Sequence, residues 1–272
     1  PGRIADDALQ AVDRLAAHLG PAACAPLRAW LQAQAAALAP RWQARQAAGR
    51  VREGHGDLHL DNVVMLADGL TAFDGLEFDP ALRWIDVVND AGFLLMDLLA
   101  HGRGDLGFAF LDGWLEAGGD HDGLDLLRFY LVYRAVVRAL VTTLTKRMAE
   151  QLKAEFATLK AAGKPAHLVS LSVGSDESSD WYVNNQKKAA EKLGVAYTAE
   201  RMDAASTHDQ VAAKIREICA RKEVTGMILQ LPLPKGLDAN ELAKVIAPAK
   251  NVEGVDPDNL GHLVMKQYRN LP

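Results

Sequence analysis

Apolar residues recur at helical spacing through most of the first half of the chain and in strand-then-helix alternation through the second. Residues 4–19 and 26–38 carry Ala-rich amphipathic patterns separated by Gly20 and Pro21, which predicts two helices. From Val51 the period shortens. A short strand, a polar loop HGDLHLDN at 55–62, a strand at 63–66, an Asp68-Gly69 turn and a strand at 70–73 are expected there. Further helices are predicted at 81–100 and 106–116, with Trp84, Phe93 and Leu94 in the core and the 118–123 loop as a solvated turn. Residues 124–162 contain neither Gly nor Pro and read as one long helix or two joined without a break. Two apolar patterns meet in it: Leu127, Tyr130, Leu131, Arg134, Val137, Arg138 and Val141, then Met148, Leu152, Phe156 and Leu159. The β-branched run Val141, Thr142, Thr143 is the weakest helical spot, and a domain boundary is expected near it. Beyond it, strands at 167–173, 195–199 and 226–230 alternate with helices at 178–193, 208–221 and 239–246. That order implies a parallel sheet with helices on its faces.

Composition marks the same seam. Residues 1–145 contain no Lys, whereas residues 146–272 contain thirteen Lys and five Arg. The expected fold class is therefore two domains: a mainly α lobe with a small β-hairpin at 1–141, then a three-layer α/β unit at 146–272. The net charge of −5 is split as 19 acidic and 12 basic groups before the seam and 16 and 18 after it, which gives neither half the clustered basic surface of a nucleic-acid binder. Asp97, Arg134 and Arg138 interrupt the longest apolar runs too early for a membrane helix. Cys24 and Cys219 fall one in each half, so a reducing cytoplasm is expected. A first residue of Pro rather than Met predicts a gene product that begins upstream or one that has been processed.

The 55–74 segment has the residue types of a metal–phosphate site. The Asp-Gly turn returns Asp74 to the side of Asn62, so that one carboxylate is poised to accept a hydroxyl proton while an amide oxygen and a second carboxylate converge on Mg²⁺. HGDLHLDNVVML, followed by FDGLEFDPALRWIDVVNDAGFLLMDL, resembles the bacterial aminoglycoside phosphotransferase and choline kinase-like family over residues 41–141. The resemblance implies that Asp57 is the catalytic base, Asn62 and Asp74 the Mg²⁺ ligands, His59 a loop-ordering residue, and Asp86 a brace for the loop from a helix. It also implies Mg-ATP and a small hydroxylated or amino substrate as partners. The family's nucleotide-gripping lobe, with its glycine-rich loop and phosphate-binding Lys, would precede this segment. Its absence, together with the lack of Lys, predicts weak or no ATP binding.

In a parallel sheet, ligands gather at the carboxyl ends of the strands, here Gly174-Ser175 and QLPLP at 230–234. Tyr182 and Gln186 share a helix face near the first of these ends, Gln230 opens the second, and NVEGVDPDNLGHL at 251–263 returns to the same rim. The segments LSVGSDESSDWYVNNQKKAAEKLGV, VTGMILQLPLPKGLD and IAPAKNVEGVDPDNLGHL resemble the catalytic domain of the bifunctional methylenetetrahydrofolate dehydrogenase/cyclohydrolase family, across residues 148–272. The resemblance implies a tetrahydrofolate derivative bound by Ser179, Tyr182, Gln230, Pro232 and Glu253. It also implies a catalytic set of Tyr182, Gln186 and Gln230, in which Tyr182 packs on the pterin side while the position of Gln186 and Gln230 handle proton transfer. Two positions depart from the family's pattern: Gln186 stands where a Lys is expected and Glu253 where an Asp is expected. An amide holds no titratable proton, and loss of a general acid/base slows such reactions roughly 10²–10⁴-fold. Lys187, one residue along, points in another direction on the helix. The family's NAD(P) cofactor binds to a following domain, and no glycine-rich turn of that domain is found by Pro272, so hydride transfer is expected to lack its cofactor site. Family habit also implies a homodimer. Three functions remain open: a folate one-carbon enzyme with a phosphotransferase-like lobe attached, an ATP-dependent small-molecule phosphotransferase, or a non-catalytic composite.

Overall fold

The computed structural model describes residues 2–66, 69–77, 79–174, 177–254 and 259, with the side chains of Gly2, 177–179 and Trp181 outside the description. The chain divides into two compact units, Pro1–Lys146 and Arg147–Pro272.

The first unit opens with α1 (Gly2–Leu19) and α2 (Pro21–Ala47). Ala8, Ala11, Val12 and Leu15 recur three or four residues apart and are the buried stripe of α1. The second helix is longer than the expected 26–38, because it begins at Pro21 and runs through both Pro26 and Pro40. Each internal proline removes one backbone donor. What carries the helix past Pro40 is tertiary: Trp42 packs edge-on to Phe129 at 4.9 Å, and Arg45 is held in a buried ion cluster.

Two small antiparallel ribbons follow. β1 (Val51–Glu53) pairs with β4 (Trp84–Asp86), and β2 (Val63–Leu66) pairs with β3 (Gly69–Ala72). Asp68 of the expected hairpin turn lies outside the described residues. The predicted helix 81–100 is not continuous: a single turn α3 (Pro80–Arg83) gives way to β4 before α4 (Val87–Ala100) starts. Two Asp caps explain the break, since Asp79 accepts from Ala81 N at 2.9 Å and Asp86 accepts from Val88 N at 3.0 Å, so each begins its own helix. Pairing with β1 leaves Trp84 55% exposed rather than in the core, while Phe93 is buried as expected.

The long helix is present as α6 (Leu124–Ala161), after α5 (Gly104–Gly118), and the division between the units falls within it. It passes the β-branched run intact, with Thr143 Oγ1 donating back to the Ala139 carbonyl at 2.7 Å. The 118–123 loop is no solvated turn. Its Asp120 is buried and accepts two hydrogen bonds from Arg45, at 2.8 and 2.6 Å, while Asp86 accepts two more at 2.6 and 2.8 Å.

The second unit is a parallel sheet in the order β6-β5-β7, formed by β5 (His167–Val173), β6 (Ala196–Met202) and β7 (Gly226–Leu229). The intervening helices are α7 (Glu177–Leu193) and α8 (His208–Ala220), with a short α9 (Ala239–Ala243) after β7. Thr207 and Gln210 close a reciprocal cap at the start of α8. β6 outruns its expected end at Ala199 because it pairs with β5 as far as Met202, and Glu200 within it is neutralised by Lys214 and Arg221. Val169, Leu171 and Val173 of the central strand pack with Val211, Ile215 and Ile218 of α8 to make one apolar face. The alternate positions of that strand include Ser170 and Ser172, both buried. No helix among the described residues is long and apolar enough to cross a membrane. Cys24 and Cys219 are both free thiols.

Arg45 holds Asp120 below the usual carboxylate pKa. The resulting stabilisation is full above about pH 4, the value for an unperturbed Asp, and fades as pH falls through the depressed folded value. Arg45→Met removes the cation and leaves two buried carboxylates, which should cost about 3–5 kcal/mol. Urea unfolding across pH should show that loss at pH 7 and, with the sign reversed from the parent chain, partial recovery on acidification as the unpaired acids take up protons. Equal midpoints at pH 7 would contradict it.

Candidate functional site

In the second unit the sheet itself places the chemistry. Ser170 on β5 lies opposite Ile228 of β7 and Ala199 of β6, and Leu168 lies opposite Tyr197. Leu168, Ser170, Ser172, Tyr197 and Ala199 therefore share the face opposite the apolar one. Gln230 follows the last residue of β7, and its backbone N donates to Leu171 O at 2.9 Å, which extends the ladder to the carboxyl edge. The Gln230 side chain is buried at 5% exposure, and its Nε2 donates to Ser170 Oγ and to Gln186 Oε1, each at 2.8 Å. Gln186 Oε1 also accepts from the Tyr197 hydroxyl at 2.9 Å. Four side chains from β5, β6, α7 and the end of β7 thus form one hydrogen-bonded network. Tyr197 is the ionisable member, and burial pushes its pKa up, so the network is neutral at physiological pH.

A cavity of about 210 Å³ opens at this edge, lined by Ser172, Gly174, Asp180, Arg201, Gln230 and Pro232 among others. Arg201 and Asp180 form an ion pair on its wall. Gly174 has φ of 81°, and a Cβ there would lie 3.3 Å from Ala204 and 3.6 Å from Pro234, so the strand end needs glycine both for its backbone and for the close approach of two loops. Pro232 follows a cis peptide bond from Leu231.

Of the expected folate residues, Gln230 and Pro232 line this cavity, and Gln186 is tied to it through its bond to Gln230. Tyr182 is on α7 one turn before Gln186 but is 55% exposed, and Lys187 is exposed beside it. Glu253 sits in the bend after Asn251, whose Oδ1 accepts from Glu253 N at 3.2 Å, and desolvation raises the Glu253 carboxyl pKa. The Ser179 side chain lies outside the description. Ser170, Tyr197, Asp180 and Arg201 were not anticipated. The available signal was HLVSLSV, in which two serines occupy alternate positions of a strand predicted to be covered by helices on both faces.

In the first unit the loop 55–62 is braced from beneath by α4 and α6. Asp90 accepts from His55 N at 2.6 Å and Gly56 N at 3.1 Å, Asp97 accepts from Leu60 N at 2.9 Å, and Arg134 donates to Gly56 O at 3.0 Å. Asp86, expected to brace the loop, instead belongs to the Arg45 cluster, because it ends β4 and caps α4 one turn earlier than Asp90. Gly56 has φ of 81°, and a Cβ there would meet the Leu82 carbonyl at 3.1 Å. Asn62 is buried, and its Nδ2 donates to the Asp57 backbone oxygen at 3.0 Å and to Asp57 Oδ2 at 3.3 Å. His59 Nε2 lies 3.4 Å from Asp57 Oδ2, and this contact chiefly holds the Asp57 carboxyl below its usual pKa. The hairpin returns as expected, with Phe73 N donating to Asn62 O at 3.0 Å, which makes the exposed Asp74 the next residue. Among the described residues no three His, Cys, Asp or Glu side chains gather as a metal set. Among the oxygens near the loop are Asn62 Oδ1, left over from the bonds to Asp57, and the Asp74 carboxylate, both of a type Mg²⁺ accepts.

Residues 140–253 match the model of the tetrahydrofolate dehydrogenase/cyclohydrolase catalytic domain. The bifunctional protein FolD of Maridesulfovibrio salexigens is 41% identical over 125 residues, which are 46% of this chain and 43% of that relative. FolD of Lachnoclostridium phytofermentans is 38% identical over 118 residues, 43% of this chain and 42% of the relative. The chain thus spans less than half the length of these curated relatives. A solved bifunctional FolD methylenetetrahydrofolate dehydrogenase/cyclohydrolase from Campylobacter jejuni is 28% identical, covers 47% of this chain and 46% of its own, and superposes with a TM-score of 0.46. The matched stretch holds Tyr182, Gln186, Gln230 and Glu253, and it excludes the loop at 55–62.

Asp90→Ala should strip the loop of its brace, leaving two N–H donors unpaired at about 1–3 kcal/mol. Hydrogen exchange should then quicken at residues 55–60 while α8 and β5 keep their protection. Unchanged exchange in the loop would show that another group holds it.

Proposed function

We propose that the second unit binds a reduced folate at the carboxyl edge of its sheet, in a dehydrogenase/cyclohydrolase-like site whose proton-handling position is a neutral amide. The observation that carries this reading is the Gln230–Gln186–Ser170 network beside the cavity, within the stretch that matches the catalytic-domain model. In this reading Gln230 and Pro232 line the pterin cavity, while Tyr182, Ser179 and Glu253 contribute from its rim. Gln186 can hold a ligand oxygen or nitrogen but cannot deliver a proton, and its phenolic neighbour is held in the neutral form. Binding is therefore retained, while cyclohydrolase-type proton transfer is slowed by roughly 10²–10⁴-fold relative to a site with a titratable group. Isothermal titration of the chain with 5-formyltetrahydrofolate should give a saturable heat, lost in Gln230→Ala. The absence of heat with the parent chain would sink the proposal.

A second reading is favoured by the geometry of the 55–62 loop: phosphoryl transfer from Mg-ATP to a small hydroxylated substrate. Asp57, ionised and held by His59 and Asn62, would take the substrate's proton, and Asn62 with Asp74 would hold Mg²⁺. The ion would neutralise charge on the transferring phosphates. Release of ADP that requires a hydroxylated acceptor, stops on chelation of Mg²⁺ and falls at least about 100-fold in Asp57→Asn would support it. ADP release that is unaffected by Asp57→Asn would exclude it.

A further inference from the structure

We propose that Tyr197 is a positioning residue of the folate site inferred above, fixing the Gln186 amide so that it offers Nε2–H as a neutral donor to an acceptor oxygen of the bound ligand. The proposal rests on that reading for its ligand and on the network alone for the role of Tyr197.

Gln186 Oε1 accepts two hydrogen bonds, from the Tyr197 hydroxyl at 2.9 Å and from Gln230 Nε2 at 2.8 Å. Both lone pairs of the amide oxygen are then used, and Nε2, with two N–H groups, has no hydrogen-bond partner among the described residues. Turning both amides over would give a second self-consistent arrangement, because the Ser170 hydroxyl can donate as readily as accept. Tyr197 breaks that symmetry. A phenol oxygen shares its lone pair with the ring and is a better donor than acceptor, so the arrangement in which the Gln186 oxygen faces the phenol is favoured. The phenol is kept protonated for this task, since burial raises its pKa and nothing around it stabilises a phenolate charge enough to reverse that shift.

The location fits an orienting role. Tyr197 stands on β6, an outer strand of the three, opposite Leu168, and its hydroxyl donates to Gln186 of α7. Gln186 is thereby tied to two strands at once, through Gln230 at the end of β7 and through Tyr197. A side chain with three rotatable bonds gains from such restraint, because ligand binding need not order it again. The ligand class that follows is one with a carbonyl or other neutral oxygen acceptor at the cavity, with hydrogen bonding but no proton transfer from this position.

The test combines binding and spectroscopy on Tyr197→Phe, Gln186→Leu and the double variant, with 5-formyltetrahydrofolate as the probe. Tyr197→Phe removes the hydroxyl with little change in volume and should weaken binding about 5- to 10-fold, the worth of one neutral hydrogen bond. Gln186→Leu should weaken it at least as much, and adding Tyr197→Phe to Gln186→Leu should change nothing further. In the ligand-free chain, the ¹⁵N–¹H signals of the Gln186 side-chain amide, identified by their disappearance in Gln186→Leu, should shift and broaden in Tyr197→Phe. Equal costs of Tyr197→Phe in the two backgrounds, or an unmoved amide signal, would overturn the assignment to Tyr197. If the parent chain binds no folate, the function proposed above and the ligand named here fall together, while the amide signal still decides whether Tyr197 orients Gln186.

Discussion

The contact between the Gln230 and Gln186 amides is the point at which the second unit's sheet and helix become one site. Gln230 is the first residue past β7, yet its backbone still bonds to Leu171, so the side chain is delivered with the rigidity of a strand. Gln186 is delivered by the third turn of α7, after the glycine-permitted corner at Gly174. Gln230 is buried, and a buried amide lacking partners is destabilising by about 1–3 kcal/mol, so its bonds to Ser170 and Gln186 offset that cost. The result is a fixed, uncharged arrangement beside the cavity.

The first unit solves a related problem with charge. Arg45, Asp86 and Asp120 come from α2, the start of α4 and the loop before α6, and their mutual hydrogen bonds satisfy a cation and two anions away from water. A cluster of this kind gains little over apolar packing, but it tolerates no substitution of one member. Its effect is to fix where α4 starts, and α4 in turn supplies Asp90 and Asp97 to the loop carrying Asp57. The order of the loop is therefore inherited from ion pairs that do not touch it.

Much of this was legible in the chain. The period-two run at His167–Val173, the Gly- and Pro-free stretch of α6 and the Asp-Gly hairpin all declare themselves locally. The failures share a cause, which is that the deciding partner is distant. Asp120 looked like turn chemistry because Arg45 lies 75 residues away, and Pro40 looked like a helix end because Trp42 and Arg45 are anchored by Phe129 and the ion cluster. Trp84 looked like core because its pairing with β1 is visible only once the two ribbons are formed. At the candidate folate site, Gln186 and Gln230 were singled out from residue type and spacing, and Pro232 through the family resemblance alone. Tyr197 was not, since a tyrosine in a strand is ordinary until a helix places an amide oxygen within 2.9 Å of its hydroxyl.

The two hydroxyls of HLVSLSV carry a consequence for the robustness of the unit. A valine in place of Ser172 would add apolar burial worth on the order of 1.5 kcal/mol, whereas one in place of Ser170 would also take an acceptor from the buried Gln230 amide, at about 1–3 kcal/mol. The hydroxyl of Ser170 thus exchanges apolar burial for a fixed amide at Gln230, and that exchange falls on the wall where a guest could be received.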